Sequence, residues 1–304
     1  MKHSVLLQAA MGFSLAIWAG AALADPARYE TPDQALDAIV SAIEAKDPEA
    51  LLAVFGPEAR DLVFTGDEAE DRATWREFLM DYRYRHRIAV EDELAVVHVG
   101  REDWPFPAPL VLVGGKWQFD PEAAREEIEL RRIGLNELDV IDLMERAVAV
   151  QNRYRLVDYD GDGVMEFAAS ILSSEGQRDG LYWPEDLGEP LSPVGAFAAQ
   201  AAADGINIDG VDREPQPYLG YYYRILTRQG AAASGGAHDY KVNGNMVAGH
   251  ALLAFPAEPG VTGIMSFMVG ENGVIYQADL GEDTLAIAGA IDSFDPGEGW
   301  TPVE

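Results

Sequence analysis

Asp158, Asp160 and Asp162 place an acid at every second position, and Gly163 follows. Calcium is a hard cation that takes six to eight oxygens. This alternation turns successive carboxylates into one concavity, and the glycine permits the sharp turn. Val164 stands where such loops offer a backbone carbonyl, and Glu166 where they offer a carboxylate directly or through water. The twelfth position, which ordinarily supplies a bidentate Glu, is Ala169. Two readings stay open. One is a weakened calcium loop with Asp158, Asp160, Asp162, Val164 and Glu166 as ligands. The other is a solvated Asp/Gly turn whose side chains bond backbone amides.

A second group is aromatic. Arg178, Asp179, Tyr182 and Trp183 fall close together ahead of Pro184, and Trp104 follows Asp103 and precedes Pro105 in a similar setting. Rings that stack on a sugar or a peptide, with a carboxylate accepting hydrogen bonds, would make a binding platform. The competing reading is packing of amphipathic aromatics under proline-stiffened loops. Of the two segments, Arg178 to Pro184 is the expected functional surface. Other chemistries lack their patterns. His86, His98, His238 and His250 include no His-x-x-x-His pair, no serine lies in Gly-x-Ser-x-Gly, and no Gly-rich phosphate loop follows a strand with its Lys. Gly235-Gly236-Ala237-His238-Asp239 is a weak base-and-orienter arrangement. With 52 acids, carboxylate pairs at hydrolase spacing arise by chance and are no evidence of hydrolysis. Arg83, Arg85 and Arg87 read as a solvated helix end, where cations suit the dipole.

The elements that must position these residues follow from periodicity. Thr31 caps a helix from Pro32 whose Ala35, Leu36, Ile39, Val40 and Ile43 share a face. Asp47-Pro48 opens a second, stopped by Gly56-Pro57, and a third spans about Thr74 to His86. Leu94–Val99, Leu110–Val113 and Lys116–Phe119 then read as strands, the last two joined by Gly114-Gly115. A charged helix from Pro121 ends near Gly134, and Asn136 caps another, with Leu138, Ile141, Met144, Val148 and Tyr154 on one side. A short Ala-rich helix is expected from Val194 to Ala203. Beyond it come strands at Tyr221–Leu226, Ala251–Phe255, Gly263–Val269 and Val274–Leu280, with hairpin signals at Asn243-Gly244 and Asn272-Gly273. The fold class is α+β in two domains. Residues 25–120 form the first, 121–135 a helical linker, and 136–304 the second, a long helix packed on four or five antiparallel strands.

Composition bounds the setting. Met1-Lys2-His3, an apolar run from Val5 to Leu23 and the small-x-small Ala22-Leu23-Ala24 read as a signal peptide over residues 1–24. The expected location is periplasmic or secreted, with no transmembrane segment once the leader is removed. No cysteine is present, which excludes disulfides, thiolate metal sites and redox motifs. The formal net charge is −30, and the leader carries Lys2 and no acid, so the exported chain is slightly more acidic still. Such a field repels nucleic acid and anionic lipid and attracts divalent cations.

Trp104-Pro105-Phe106-Pro107, Arg131-Arg132-Ile133-Gly134 with Asn136-Glu137-Leu138, Arg178 through Pro184 and Gly220-Tyr221-Tyr222-Tyr223 carry a resemblance to a known family. It is the bacterial domain-of-unknown-function family twenty-nine fifty, whose members bear signal peptides. The likeness spans essentially the whole exported chain and brings no established activity with it. The order of helices and strands in the first half resembles the nuclear-transport-factor-2-like cone. In the second half, Val150-Gln151-Asn152-Arg153-Tyr154, the Asp-Gly loop and the hairpin from Pro259 to Tyr276 resemble the globular head of type IV pilin-like proteins. The apolar N-terminal half of a pilin helix is absent here, which argues against pilus assembly. The expected function is a non-catalytic cell-envelope binding or assembly module whose partner is an envelope protein or saccharide, with calcium as the candidate cofactor. The alternative is an envelope hydrolase acting on a saccharide or peptide through carboxylates such as Asp179.

Overall fold

The computed structural model describes residues 25–195, 202, 206–208, 211–213 and 215–303. The expected leader and most of the helix expected at Val194–Ala203 lie outside them. The class is α+β, and the chain divides into two compact units, Met1–Glu127 and Ile128–Glu304.

The first unit opens with helices α1 (Pro32–Ala45), α2 (Pro48–Phe55), the four-residue α3 (Arg60–Val63) and α4 (Glu68–Tyr84). The starts of α1, α2 and α4 are set by side-chain caps. Thr31 accepts from the Gln34 amide, Asp47 from Ala50, and Asp67 from Ala69 and Glu70. Helix α4 begins well before the expected Thr74, because Asp67 caps it and Glu68, Glu70 and Asp71 favour the positive end of its dipole. Apolar periodicity registers only from Trp75 onward. It also ends sooner than expected. Arg85 is already extended, and His86–Glu91 forms a strand, β1, where a helix end was expected. Only Arg83 of the basic run is in the last helical turn, where it pairs with Glu44, while Arg85 and Arg87 both reach Asp103.

Strands β2 (Leu94–Val99), β4 (Leu110–Val113) and β5 (Lys116–Phe119) stand at their expected positions, and β3 is the two-residue Trp104–Pro105. The antiparallel order is β1-β2-β4-β5, with β3 on β2. Ala95, Val97 and Val99 alternate inward against Leu36, Ile39 and Phe55 from the helices. His98, on the opposite face, bonds the Asp103 carbonyl at 2.9 Å.

Helix α5 runs unbroken from Pro121 to Tyr154, where a break near Gly134 was expected. Asn136 caps nothing: its side-chain amide donates to the Thr262 carbonyl at 2.9 Å. Glu137 beside it accepts from the Ile264 and Met265 amides at 2.8 and 2.9 Å. Glycine in a helix interior costs about 1 kcal/mol, and these three tertiary bonds sit within one turn of Gly134. The buried stripe is Val140, Met144, Gln151 and Tyr154, whereas Leu138 points to solvent.

The largest sheet among the described residues of the second unit has five antiparallel strands. In spatial order they are Thr301–Pro302, Ile275–Asp279, Met265–Gly270, Ala251–Pro256 and Tyr221–Leu226. All six residues of Ala251–Pro256 are buried, so both side-chain faces of this interior strand are covered. The Asn243-Gly244 hairpin forms between Lys241–Val242 and Asn245–Met246. Val140, Met144 and Tyr154 join Tyr221, Leu253 and Phe267 in one core. Among the described residues no helix is long and apolar enough to cross a membrane.

Candidate functional site

The Asp-rich loop hangs directly from the end of α5. One ligand oxygen from each of Asp158, Asp160 and Asp162 lies within 4.8 Å of the others, at the surface of the molecule. Three like charges do not converge without compensation, and backbone amides provide it. Asp158 accepts from Gly161 at 2.7 Å and from Gly163 at 3.0 Å, Asp160 from Asp162 at 3.4 Å, and Asp162 from Val164 at 2.7 Å. Gly161 and Gly163 both have positive φ, which lets the chain fold tightly enough for those bonds.

Asp158 and Asp160 are shifted in opposite directions. Partial desolvation raises the Asp158 pKa, but the amides of Gly163 and Gly161 outweigh it and hold the carboxyl below its ordinary range. Desolvation, with the charges of Asp162 and Asp158, pushes Asp160 up. Glu166 is also raised, first by desolvation and then by Asp160 and Asp162.

The hairpin docks on this loop, a contact that local spacing does not encode. Asn245 donates from its side chain to Asp162, and the Met246 amide donates to Glu166. Phe167 then bonds the Met246 carbonyl through its amide at 2.8 Å. Behind the loop, Gln151 treats Ala168 as a strand partner would: its amide nitrogen donates to the Ala168 carbonyl at 3.0 Å, and its oxygen accepts from the Ala168 amide at 2.9 Å. Gln151 is buried, so this double bond fixes where the chain leaves the loop.

The Arg178–Trp183 stretch lies against the same loop. Tyr159, inside the loop, stacks on Tyr154 at 4.7 Å and meets Trp183 at 5.0 Å. Tyr154 donates to the Arg178 carbonyl at 2.6 Å. Desolvation pushes the Tyr154 hydroxyl pKa up strongly, and the charges of Glu166, Asp179 and Asp160 add to it. Trp183 is 1% exposed, and its indole donates to the Pro190 carbonyl at 3.0 Å. Arg178 caps the carbonyls of Leu187, Gly188 and Glu189, and its guanidinium carbon lies 5.7 Å from the Trp183 ring. Asp179 is held by Ser174, with 2.7 Å bonds from the amide and the hydroxyl, one to each carboxylate oxygen. Tyr182 is half-buried, and its backbone bonds Ile171 and Ser173. Gly180 has no alternative, since a Cβ there would stand 2.5 Å from the Leu172 carbonyl carbon.

The structure thus brings the Asp-rich loop and the Arg178–Trp183 residues together around Tyr159. Trp183 takes the packing role, because its ring belongs to the core. Trp104 belongs to the first unit, on β3, and is 55% exposed. The participants that sequence reasoning missed are Gln151, Tyr159 and Asn245. Of these, Gln151 figures in the sequence only within the stretch that carries a resemblance, and Asn245 only as a neighbour of the Asn243-Gly244 turn; neither signal names a partner.

No curated protein and no solved structure matches this chain. A family model does, over residues 27–303, and its description is "Protein of unknown function (DUF2950)". That span takes in both units and every element described above, so the chain belongs to the DUF2950 family.

Proposed function

We propose that this protein is a non-catalytic binding or assembly module of the cell envelope, and that its Asp158–Glu166 loop takes up calcium. The observation that carries the proposal is the convergence of Asp158, Asp160 and Asp162 within 4.8 Å on a loop already shaped by its own amides. Each bonded carboxylate oxygen keeps a lone pair for an ion, and the Val164 carbonyl and Glu166 complete the ligands offered. The export signal read from Ala22-Leu23-Ala24 and the charge of −30 suit a calcium-containing compartment. An envelope protein or a saccharide is the partner proposed.

The hydrolase alternative has less support, because Asp179 is bonded through both oxygens by Ser174 and braces a turn. A general acid or base must be able to reach a substrate proton.

Calorimetric titration of the chain, stripped with EDTA, tests the calcium proposal. One saturable calcium site per chain is expected, with a Kd of about 0.1–1 mM given the absent twelfth-position Glu. Magnesium should bind more weakly, and Asp160→Asn should abolish the heat. A parent that gives no saturable heat, or an Asp160→Asn variant that binds as well as the parent, overturns it.

A further inference from the structure

The first unit contains a cleft that none of the motifs above predicts. It has a volume of about 440 Å³, within the size range of small-molecule sites, and lies where α1, α2 and the start of α4 meet. Trp75 and Phe64 give it an aromatic wall, their rings edge to face at 6.2 Å. Lys46, Arg60 and Arg72 bring three cations to it, facing the acids Glu49, Glu68 and Asp71.

These cations differ in what they already hold. Arg60 pairs with Glu49 at 3.5 Å and lies over the Phe64 ring, and Arg72 pairs with Glu68 on its own helix. The Lys46 ammonium has no partner among the described residues. Its backbone is also unusual: Lys46 sits at the end of α1 with φ 55° and ψ 42°, the left-handed conformation that glycine ordinarily supplies. A side chain kept at such a position, beside a cleft, invites a functional explanation.

Asp71 is the complementary group. It is only 8% exposed, yet it lines the cleft. One oxygen accepts from both the amide and the hydroxyl of Thr65 at 2.8 Å, and the other has no partner among the described residues. That second oxygen is not sealed from solvent, so it faces the open space of the cleft and is within reach of a ligand's donor.

We propose that this cleft binds a compact ligand carrying a carboxylate, a hydrogen-bond donor and an apolar face. The carboxylate pairs with Lys46, the donor bonds the open oxygen of Asp71, and the apolar face lies on Trp75. Acidic sugars and amino acids share this chemistry. The site goes beyond the calcium proposal and stands without it, since the loop belongs to the other unit.

The test is titration of the chain from Asp25 to Glu304 with glucuronate and with L-phenylalanine, read on the indole N–H resonance missing from Trp75→Phe. Glucose and 2-phenylethylamine, which lack the carboxylate, are the controls. At least one acid should bind with a Kd near about 1 mM, and its control at least tenfold more weakly. Binding of glucuronate alone assigns a saccharide source, and binding of phenylalanine alone an amino-acid or peptide source. Lys46→Gly suits the left-handed backbone, so it should keep or raise the melting temperature while weakening binding tenfold or more. Asp71→Asn retains the Thr65 contact through its carbonyl oxygen and should weaken binding similarly. No shift with either acid up to about 10 mM, or Lys46→Gly binding as the parent does, overturns the proposal; neither result bears on calcium uptake.

Discussion

His250 is 2% exposed, faces Phe167 at 4.6 Å, and its Nε2 has no hydrogen-bond partner. Burial, and then the charge of Arg155, lowers its pKa from 6.5 to about 4. Between those values the unfolded chain binds a proton that the folded chain refuses. Stability should therefore fall as pH drops from about 6.5 and level off below about 4, a loss on the order of 3 kcal/mol. Chemical denaturation of the parent and of His250→Phe across pH 4–7 isolates it from the carboxylates. The variant should lack this component, and equal slopes would contradict the assignment. Asp179 gives a second test at this scale. Asp179→Asn should lower stability by about 1–2 kcal/mol through the Ser174 contacts; loss of a hydrolytic activity with stability intact would instead favour the hydrolase reading. The Asp loop was legible because its information is local: acids at every second position and a glycine. The packing of Trp183 was legible as the competing reading, but its partners were not, because Tyr159, with Tyr154 stacked on it, reaches its ring only in the folded chain.

Among elements, α5 shows what periodicity can and cannot say. The stripe ending in Met144 and Tyr154 was visible in the sequence, but Leu138 was placed on the wrong side and a break was expected at Gly134. Glycine followed by Asn136 resembles a stop and a cap, and only the bonds of Asn136 and Glu137 to the 262–265 turn reveal a continuous helix. Strand β1 was missed for a related reason, since Tyr82 and His86 also stack at 4.0 Å and mimic helical spacing across the junction. The two-residue strands Trp104–Pro105 and Thr301–Pro302 were missed as well, being too short to show a period, whereas the longer strands of the two five-stranded sheets were legible from alternation and Gly turns. The element most dependent on one side chain is the segment after the Asp loop. Gln151→Leu leaves the buried amide and carbonyl of Ala168 without partners, which should cost about 2–5 kcal/mol for the two groups together. Hydrogen exchange should show Ala168 losing protection before the central strand Ala251–Pro256 does. Unchanged protection at Ala168 would mean that Gln151 does not hold the loop exit.

For the whole molecule, each unit has its own apolar core, one built on Leu36, Phe55 and Leu110 and the other on Met144, Leu253 and Phe267. We propose that the units fold independently. Residues 25–127 and 128–304, expressed separately, should each give dispersed amide spectra, and a disordered spectrum from either would contradict independent folding. The charge of −30 matters at this scale too, because any divalent cation screens it, and calcium uptake must be separated from screening. Thermal unfolding in EDTA, in calcium and in magnesium, on the parent and on Asp160→Asn, makes that separation. An ion bound only by the folded chain adds RT ln(1 + [L]/Kd), which is about 2.7 kcal/mol at a hundredfold excess over Kd. Millimolar calcium should raise the melting temperature of the parent more than magnesium does, and Asp160→Asn should remove the difference. Equal gains from both ions, or a calcium gain that survives Asp160→Asn, would mean that the loop is a solvated turn and takes up no calcium.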